Sequence, residues 1–383
     1  MNFNIDPNTI THDLVCAFCE AKDVSFKRFP RNRVGFGCGE CETRYCFNEY
    51  HELKKSEPID EPEWLRDDDE DYTFLPIKRP ALIKHYYDQR NSHWVPGEID
   101  LRGDREDFDN NCDASIQEFL KGFLAFFAFA EGLIGENIFK NFQEDTSFWK
   151  EARYFYAIQG SMETIHGEMY SLMAQALIRD KSELAKIFNS TREYPAVKRI
   201  VDFIKKYMDR SISLQERIIA FACVEGVLLQ SAFAAIYWIK KRNILRGFCK
   251  ANEFIARDEC IHTRFAVDLF ILYTQRKDVQ PIEAQRVHEI VKEAVDVNYS
   301  FVDEILKVDL IGMSVYSLMN YTKTTADALL VSLGYGKVYN AVNPFDWMAV
   351  ISLPNKTNFF EDKVSEYSQL TEGEFVYDEN AYF

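Results

Sequence analysis

The sequence predicts an all-α protein, a bundle of long helices that follows a small cysteine-rich module. In residues 113–143 the apolar side chains recur at the i, i+3, i+4, i+7 spacing of an amphipathic helix. The rest of this part shows neither strand alternation nor a glycine-rich phosphate loop, which favours a helical bundle. Further helical segments are predicted at about 150–178, 214–241, 246–276, 281–308 and 314–334.

Composition restricts the class of protein. The chain has 383 residues, of which 47% are hydrophobic and 15% aromatic, so it can bury a large core. Its net charge of -16 disfavours nonspecific binding to nucleic acid or anionic lipid. The start, "MNFNIDPNTI", lacks the pattern of a secretory signal, and apolar runs such as "FLAFFAFA" at 123–130 are too short to span a bilayer. We therefore expect a cytoplasmic protein without a membrane segment, whose cysteines are reduced, buried or bound to metal.

The first module is defined by two pairs of cysteines. Each pair has the spacing Cys-x2-Cys, and eighteen residues separate the pairs. Four thiolates at this spacing can occupy the corners of a tetrahedral zinc site, as in a zinc ribbon. The alternative is four unrelated thiols. The predicted zinc ligands are Cys16, Cys19, Cys38 and Cys41.

Composition also predicts the domain boundaries. A stretch rich in proline and acid, "EPIDEPEWLRDDDEDY", ends at residue 72 and has the composition of a linker. We expect a zinc-ribbon-like module at 1–55, an acidic linker at 56–72, a helical domain at 73–350 and a flexible tail at 351–383.

Two Glu-x-x-His pairs suggest chemistry inside the bundle. Three residues of helix correspond to about 300° of rotation and about 4.5 Å of rise, so Glu163 and His166 can converge on one point. Glu259 and His262 repeat this spacing on another helix. Tyr170 lies two turns after Glu163 on the same side. The spacing alone does not distinguish a metal site from chance, because acidic residues are common in this chain.

Two more glutamates interrupt strongly apolar helices. Glu131 lies in "LAFFAFAEGLI" and Glu225 in "IAFACVEGVLLQ". A buried carboxylate must be protonated, paired or bound to a cation, although a single such residue is more often exposed or hydrogen-bonded. Four helices that each supply a glutamate, two of them with a histidine, match a dinuclear iron or manganese site. Carboxylates suit these ions and leave room for O2.

Several long strings resemble the small, radical-generating subunit of class I ribonucleotide reductase, closest to the eukaryotic type. They are "SMETIHGEMYSLM", "FACVEGVLLQSAFAAIYWIKKR", "IARDECIH" and "NPFDWMAVISLPNKTNFFEDKVSEY". The resemblance covers about residues 72–383 and implies a ferritin-like helical bundle. It implies that Glu131, Glu163 and His166 bind one metal and Glu225, Glu259 and His262 the other, with two glutamates bridging.

The resemblance also implies a radical pathway and partners. Tyr170 matches the tyrosine that becomes a stable radical after O2 reacts at two iron ions. Trp94, Asp258 and the tail residue Tyr367 match the route by which the radical reaches a large catalytic subunit. The family docks its acidic tail, here ending "GEFVYDENAYF", on that subunit, which reduces ribonucleotides, with diphosphates the expected substrates. A homodimer is expected by the same likeness.

Two features depart from the family pattern. Most members with a radical tyrosine have aspartate where this chain has Glu131. Glutamate there is typical of a subgroup that lacks the tyrosine and uses manganese and iron, whereas this chain keeps Tyr170. Both iron and manganese–iron sites therefore stay open. The cysteine module is absent from the common core of the family, so the resemblance says nothing about its role.

Three other functions compete with this interpretation. A stand-alone dinuclear oxidase would use the same ligands but would need neither the tail nor Tyr367. An iron-storage protein would bind many irons per chain and assemble into a shell. A zinc-ribbon protein that binds nucleic acid would conflict with the net charge of -16.

Overall fold

A computed structural model describes residues 72–306 and 312–348, together with the backbone of three strands at 24–29, 33–38 and 44–46. The chain divides into two compact units, residues 1–67 and 68–383. This division lies inside the predicted acidic linker at 56–72.

The described part of the first unit is a small antiparallel sheet with strand order β1-β2-β3. In its register, Phe26 of β1 lies opposite Phe36 of β2. Cys38 is the last residue of β2, whereas Cys16, Cys19 and Cys41 lie outside the described residues. The zinc site therefore stays a prediction. The strands are β1 (Val24–Phe29), β2 (Arg33–Cys38) and β3 (Arg44–Cys46).

The second unit is predominantly helical in its described residues, as the sequence predicts. Its α-helices of four or more residues in that part of the chain are α1 (Pro80–Asn91), α2 (Asp104–Asn110), α3 (Ala114–Asn137), α4 (Lys150–Leu177), α5 (Lys181–Phe188), α6 (Ser190–Glu193), α7 (Pro195–Met208), α8 (Leu214–Cys223), α9 (Gln230–Lys240), α10 (Arg246–Thr274), α11 (Ala284–Ile305) and α12 (Val315–Ser332). The predicted long helices correspond to α3, α4, α8 with α9, α10, α11 and α12.

Two of the helices extend through π-helical turns. Helix α3 continues into a π turn at Ile138–Phe142 and a last turn at Gln143–Asp145. A second π turn, Val224–Leu229, joins α8 to α9. π turns inside α-helices often occur at functional sites.

Capping residues set the starts of two core helices. Asp113 accepts a hydrogen bond from the backbone N–H of Ile116 at 2.9 Å and so begins α3. Ser213 accepts one from Glu216 at 3.3 Å and begins α8. Each such cap contributes about 1 kcal/mol by satisfying a backbone donor that has no helical partner.

Two helical rods are long and apolar enough to cross a membrane, judged by length and composition alone. They are Ala114–Asp145 and Leu214–Lys240, and 72% and 100% of their most apolar windows are buried in the protein. The other helices of the unit therefore cover their apolar surfaces. These rods carry the two glutamates, Glu131 and Glu225, that the sequence places in apolar surroundings.

Helices α4 and α10 cross the centre of the bundle in opposite directions. Phe155, near the start of α4, stacks on Phe265 late in α10, with ring centroids 3.9 Å apart. Tyr170, near the end of α4, contacts Asn252 early in α10. The two Glu-x-x-His pairs lie between these contacts, so antiparallel packing brings both pairs to the same level of the bundle.

Candidate metal centre

The structure brings the six predicted ligands of the helical domain into one buried cluster, and none of their side chains is more than 2% exposed. We call these six residues the ligand cluster. Four helical segments supply them: α3, α4, the π turn after α8, and α10. The members are Glu131, Glu163, His166, Glu225, Glu259 and His262.

Two overlapping sets of four residues could each hold a metal ion. Within each set, one ligand atom from every residue lies within 4.8 Å of the others. Glu163 and Glu259 belong to both sets, and we call them the shared glutamates. The sequence left open which two glutamates would bridge two ions, and the overlap of the sets makes these two the candidates. The sets are Glu131, Glu163, His166 and Glu259, and Glu163, Glu225, Glu259 and His262.

The spacing of ligand atoms fits metal coordination. Nδ1 of His166 lies 3.3 Å from Glu163 and 3.1 Å from Glu259. Nδ1 of His262 lies 3.1 Å from Glu163 and 3.4 Å from Glu259. Two ligand atoms at right angles around an ion with bonds of about 2.1 Å are about 3 Å apart. These candidate ligand atoms therefore lie at separations that one metal ion could span.

The cluster also contains buried polar atoms that have no hydrogen-bond partner among the described residues. They include both carboxylate oxygens of Glu131, both of Glu259 and Nδ1 of each histidine. Unsatisfied buried groups are costly, and several converging on one point are rare without an ion. Four carboxylates carry four negative charges, which two divalent cations would neutralise. The residues present therefore fit a dinuclear metal site.

Asp258 links the cluster to Trp94, which lies on the segment between α1 and α2. Oδ2 of Asp258 accepts a hydrogen bond from the indole Nε1 of Trp94 at 2.7 Å and lies 3.2 Å from Nε2 of His166. With a metal bound at Nδ1, Nε2 would carry the ring proton and donate it to Asp258. The Trp94 ring also stacks near His166, with centroids 6.1 Å apart. The structure thus places these three predicted residues in contact.

Glu225 reaches the cluster from the π turn Val224–Leu229. The next residue, Gly226, packs closely on α10, where an added Cβ would come within 2.7 Å of the Thr263 side chain. A side chain at position 226 would push the turn away from α10. The glycine therefore holds the Glu225 backbone near the helix that carries Glu259 and His262.

Tyr170 is fully buried beside the cluster, within an aromatic shell. Its ring stacks on Phe127, with centroids 4.6 Å apart, and lies 6.3 Å from the Phe123 ring. Its hydroxyl donates a hydrogen bond to Oδ1 of Asn252 at 3.0 Å. An oxidised tyrosine in this position would be shielded from solvent.

Comparison with known proteins identifies the family. The family model for the ribonucleotide reductase small chain matches residues 71–344. That span contains the whole ligand cluster, Tyr170, Trp94 and Asp258. The chain belongs to the ribonucleotide reductase small-chain family.

Relatives in this family are similar over most of their length. A ribonucleoside-diphosphate reductase small subunit from Dictyostelium discoideum is 38% identical over 83% of this chain and 92% of its own. A ribonucleoside-diphosphate reductase small chain from Arabidopsis thaliana is 40% identical over 78% of this chain and 88% of its own. The structure of a ribonucleotide reductase homodimer from Saccharomyces cerevisiae, 28% identical, covers 74% of this chain and 88% of its own with a TM-score of 0.63. The predicted ferritin-like bundle is thereby confirmed.

Two polar residues that contact the ligand cluster or Tyr170 are absent from the sequence predictions. The amide of Gln159 donates to Glu163 at 3.2 Å and to Glu225 at 2.7 Å. Gln159 precedes Glu163 by four residues, and this i, i+4 spacing is a signal that the sequence does contain. Asn252 has no comparable local signal, because its contact with Tyr170 crosses between helices.

For some of the predicted site residues the structure describes no side chain. Tyr367 lies outside the described residues, as do three of the four zinc-ligand cysteines. Cys38 is described only as backbone in β2. The roles assigned to these residues stay predictions.

Burial and mutual contact control protonation when no metal is bound. Burial raises the pKa of Glu131 and of Glu225 well above the usual carboxyl range. Burial by itself lowers the pKa of His166 and His262, but the surrounding carboxylates outweigh it and raise both values well above normal. The metal-free cluster therefore holds extra protons near neutral pH, and metal binding must release them.

These shifts predict how the stability of the metal-free protein depends on pH. Groups with raised pKa bind more protons in the folded state, so they stabilise it below their unfolded pKa, and this contribution is lost as pH rises through the folded pKa. We expect the free energy of unfolding to fall as pH rises above the usual carboxyl and imidazole pKa values, by about 1.4 kcal/mol per pH unit for each extra proton. Urea denaturation of metal-free protein would measure it.

A matched pair of variants tests the source of this slope. In the double variant Glu131→Gln with Glu225→Gln, the free energy of unfolding should fall less steeply as pH rises. Glu168→Gln alters an exposed glutamate on α4 and should leave it unchanged. A double variant with the wild-type slope would contradict the assignment.

Proposed function

We propose that the protein is the small subunit of a ribonucleoside-diphosphate reductase, which stores an oxidising equivalent on Tyr170 and lends it to a large catalytic subunit. The observation that carries the proposal is the pair of overlapping, fully buried ligand sets beside a fully buried tyrosine. The names of the relatives support the diphosphate substrate.

In this proposal the ligand cluster holds two metal ions per chain. Glu131 and His166 would serve one ion, Glu225 and His262 the other, and the shared glutamates would bridge them. When bound, two iron ions, or one manganese and one iron, would use O2 to supply the oxidising power that Tyr170 requires. Gln159 would orient two of the carboxylates, because its amide contacts both.

The route between the cluster and the surface would run through Asp258. Its Oδ2 accepts the Trp94 indole N–H and faces Nε2 of His166, so one carboxylate joins the indole to a metal ligand. The side chains of Trp94 and Asp258 are buried, which restricts exchange of protons with water. Tyr367 in the tail would complete the route to the large subunit.

The proposal includes partners and a location. The acidic tail at 351–383 would dock on the large subunit by an acid-flanked aromatic anchor. The protein would form a homodimer, as the Saccharomyces cerevisiae structure does, and would be cytoplasmic. Cys16, Cys19, Cys38 and Cys41 would bind one zinc ion.

The competing functions account for fewer features of the structure than the proposed function does. A stand-alone oxidase or a storage protein would have no use for the Trp94–Asp258–His166 contact, and relatives over most of the chain are named reductase small subunits. A nucleic-acid binder would not need the buried ligand cluster.

One reconstitution experiment tests the function. Metal-free protein is loaded with iron, or with iron and manganese, exposed to O2, and examined by metal analysis and electron paramagnetic resonance. It is then assayed with a large subunit and a ribonucleoside diphosphate. We expect two metals per ligand cluster, a tyrosyl signal, and turnover only when the large subunit is present.

A chain that lacks the last ten residues is the matched control. It should keep its metals and its radical but lose turnover, because only docking is removed. Turnover without a large subunit would contradict the proposed function, and full activity of the shortened chain would contradict the role of the tail.

A further inference from the structure

Asn252 makes the only polar contact with the Tyr170 hydroxyl within the described part of the chain, and it is not a metal-ligand candidate. Its side chain is 1% exposed. It lies seven residues before Glu259 on α10, and Tyr170 lies seven residues after Glu163 on the antiparallel α4. Seven residues correspond to about 10 Å of helix, so the two side chains form their own layer beside the metal layer.

The orientation of the Asn252 amide is set by its second contact. Nδ2 donates to the backbone carbonyl of Phe248 at 2.8 Å and lies 3.8 Å from the sulfur of Met173. A carbonyl oxygen can only accept, so the NH2 group must face it. Oδ1 therefore faces Tyr170, and the tyrosine hydroxyl must be the donor.

This geometry distinguishes the two oxidation states of Tyr170. Oxidation of the phenol removes one electron and one proton, after which the oxygen has no hydrogen to donate. The radical oxygen would then face another acceptor, and the amide could offer a hydrogen only by giving up its bond to Phe248. The hydrogen bond thus exists in the phenol form alone.

We infer that Asn252 is a positioning residue that stabilises the phenol form of Tyr170 relative to its radical. The inference rests on the proposed function. The hydrogen bond to Asn252 therefore favours return of the Tyr170 radical to the phenol form. Removing the acceptor should shift the balance toward the radical, because the phenol loses its partner and the radical loses a repulsive contact.

The first test is the lifetime of the radical in the full chain. Hydroxylamine reduces a tyrosyl radical by giving up one hydrogen atom, that is, one electron and one proton. In Asn252→Leu we expect the tyrosyl signal to decay several-fold more slowly, up to about fivefold, the factor that corresponds to one net hydrogen bond. Asn252→Ala serves as a second variant if leucine prevents folding.

Asn298→Leu is the matched control. Asn298 is also fully buried, and its amide donates to Ser231 and Thr322 at 2.9 Å, on other helices. The substitution makes the same chemical change away from Tyr170. Its radical should decay at the wild-type rate. Equal decay in wild type and both Asn252 variants would overturn the inference.

The second test needs no metal. Tyr170→Phe and Asn252→Leu, alone and combined, are compared by urea denaturation of the metal-free protein. We expect the two changes to be coupled by about a factor of five in the folding equilibrium constant, while Tyr170→Phe and Asn298→Leu should act independently. Independent effects of the first pair would overturn the inference. Absence of a tyrosyl signal in wild-type protein would instead overturn the proposed function.

Discussion

Replacing Tyr170 by phenylalanine should leave both metals bound, remove the tyrosyl signal and reduce turnover with the large subunit to below detection. The tyrosine is not among the candidate ligands, so the metal content should not change. The fold should survive, because the change removes one hydroxyl and its bond to Asn252, at a cost of about 1 kcal/mol. Metal analysis, electron paramagnetic resonance and a turnover assay on the same sample would measure all three quantities.

Tyr156→Phe provides the matched control. Tyr156 is also fully buried on α4, but it lies seven residues before Glu163, at the opposite end of the cluster from Tyr170. Its ring stacks on Phe142, with centroids 5.4 Å apart. This variant should keep the radical and the activity. If the tyrosyl signal persisted in Tyr170→Phe and disappeared in Tyr156→Phe, the radical would have been assigned to the wrong residue.

The second large effect concerns the shared glutamates. Glu163→Gln or Glu259→Gln should reduce the metal content from two ions toward none, because each of these residues belongs to both ligand sets. Glu131→Gln or Glu225→Gln should reduce it to about one ion, because each belongs to a single set. A neutral amide keeps the volume of the side chain but is a poor bridge between two cations. Metal content after gel filtration would measure the difference.

Glu168→Gln, the exposed change on α4, is the control and should retain both ions. Equal loss of metal in all four cluster variants would contradict the division into two overlapping sets. It would indicate that the ions bind only as a pair. The metal-free variants should remain folded, since each substitution keeps the volume of the side chain and leaves no ionisable carboxyl group buried at that position.

The sequence predicted local features of the site well. The i, i+3 spacing of the Glu-His pairs holds on any helix, and the apolar surroundings of Glu131 and Glu225 indicated burial. Helix α7 was not predicted, although Val197, Ile200 and Ile204 follow helical spacing and are buried in the structure.

Local sequence is enough to predict the residue types, the helical period and the four segments that carry candidate ligands, because these depend on contacts within one or two turns. It does not show that Glu163 and Glu259 belong to both ligand sets, that Asp258 joins Trp94 to His166, or that Tyr170 donates to an asparagine. Those contacts depend on the register and crossing of helices distant in sequence. Packing of the whole core sets that register, and no local spacing records it.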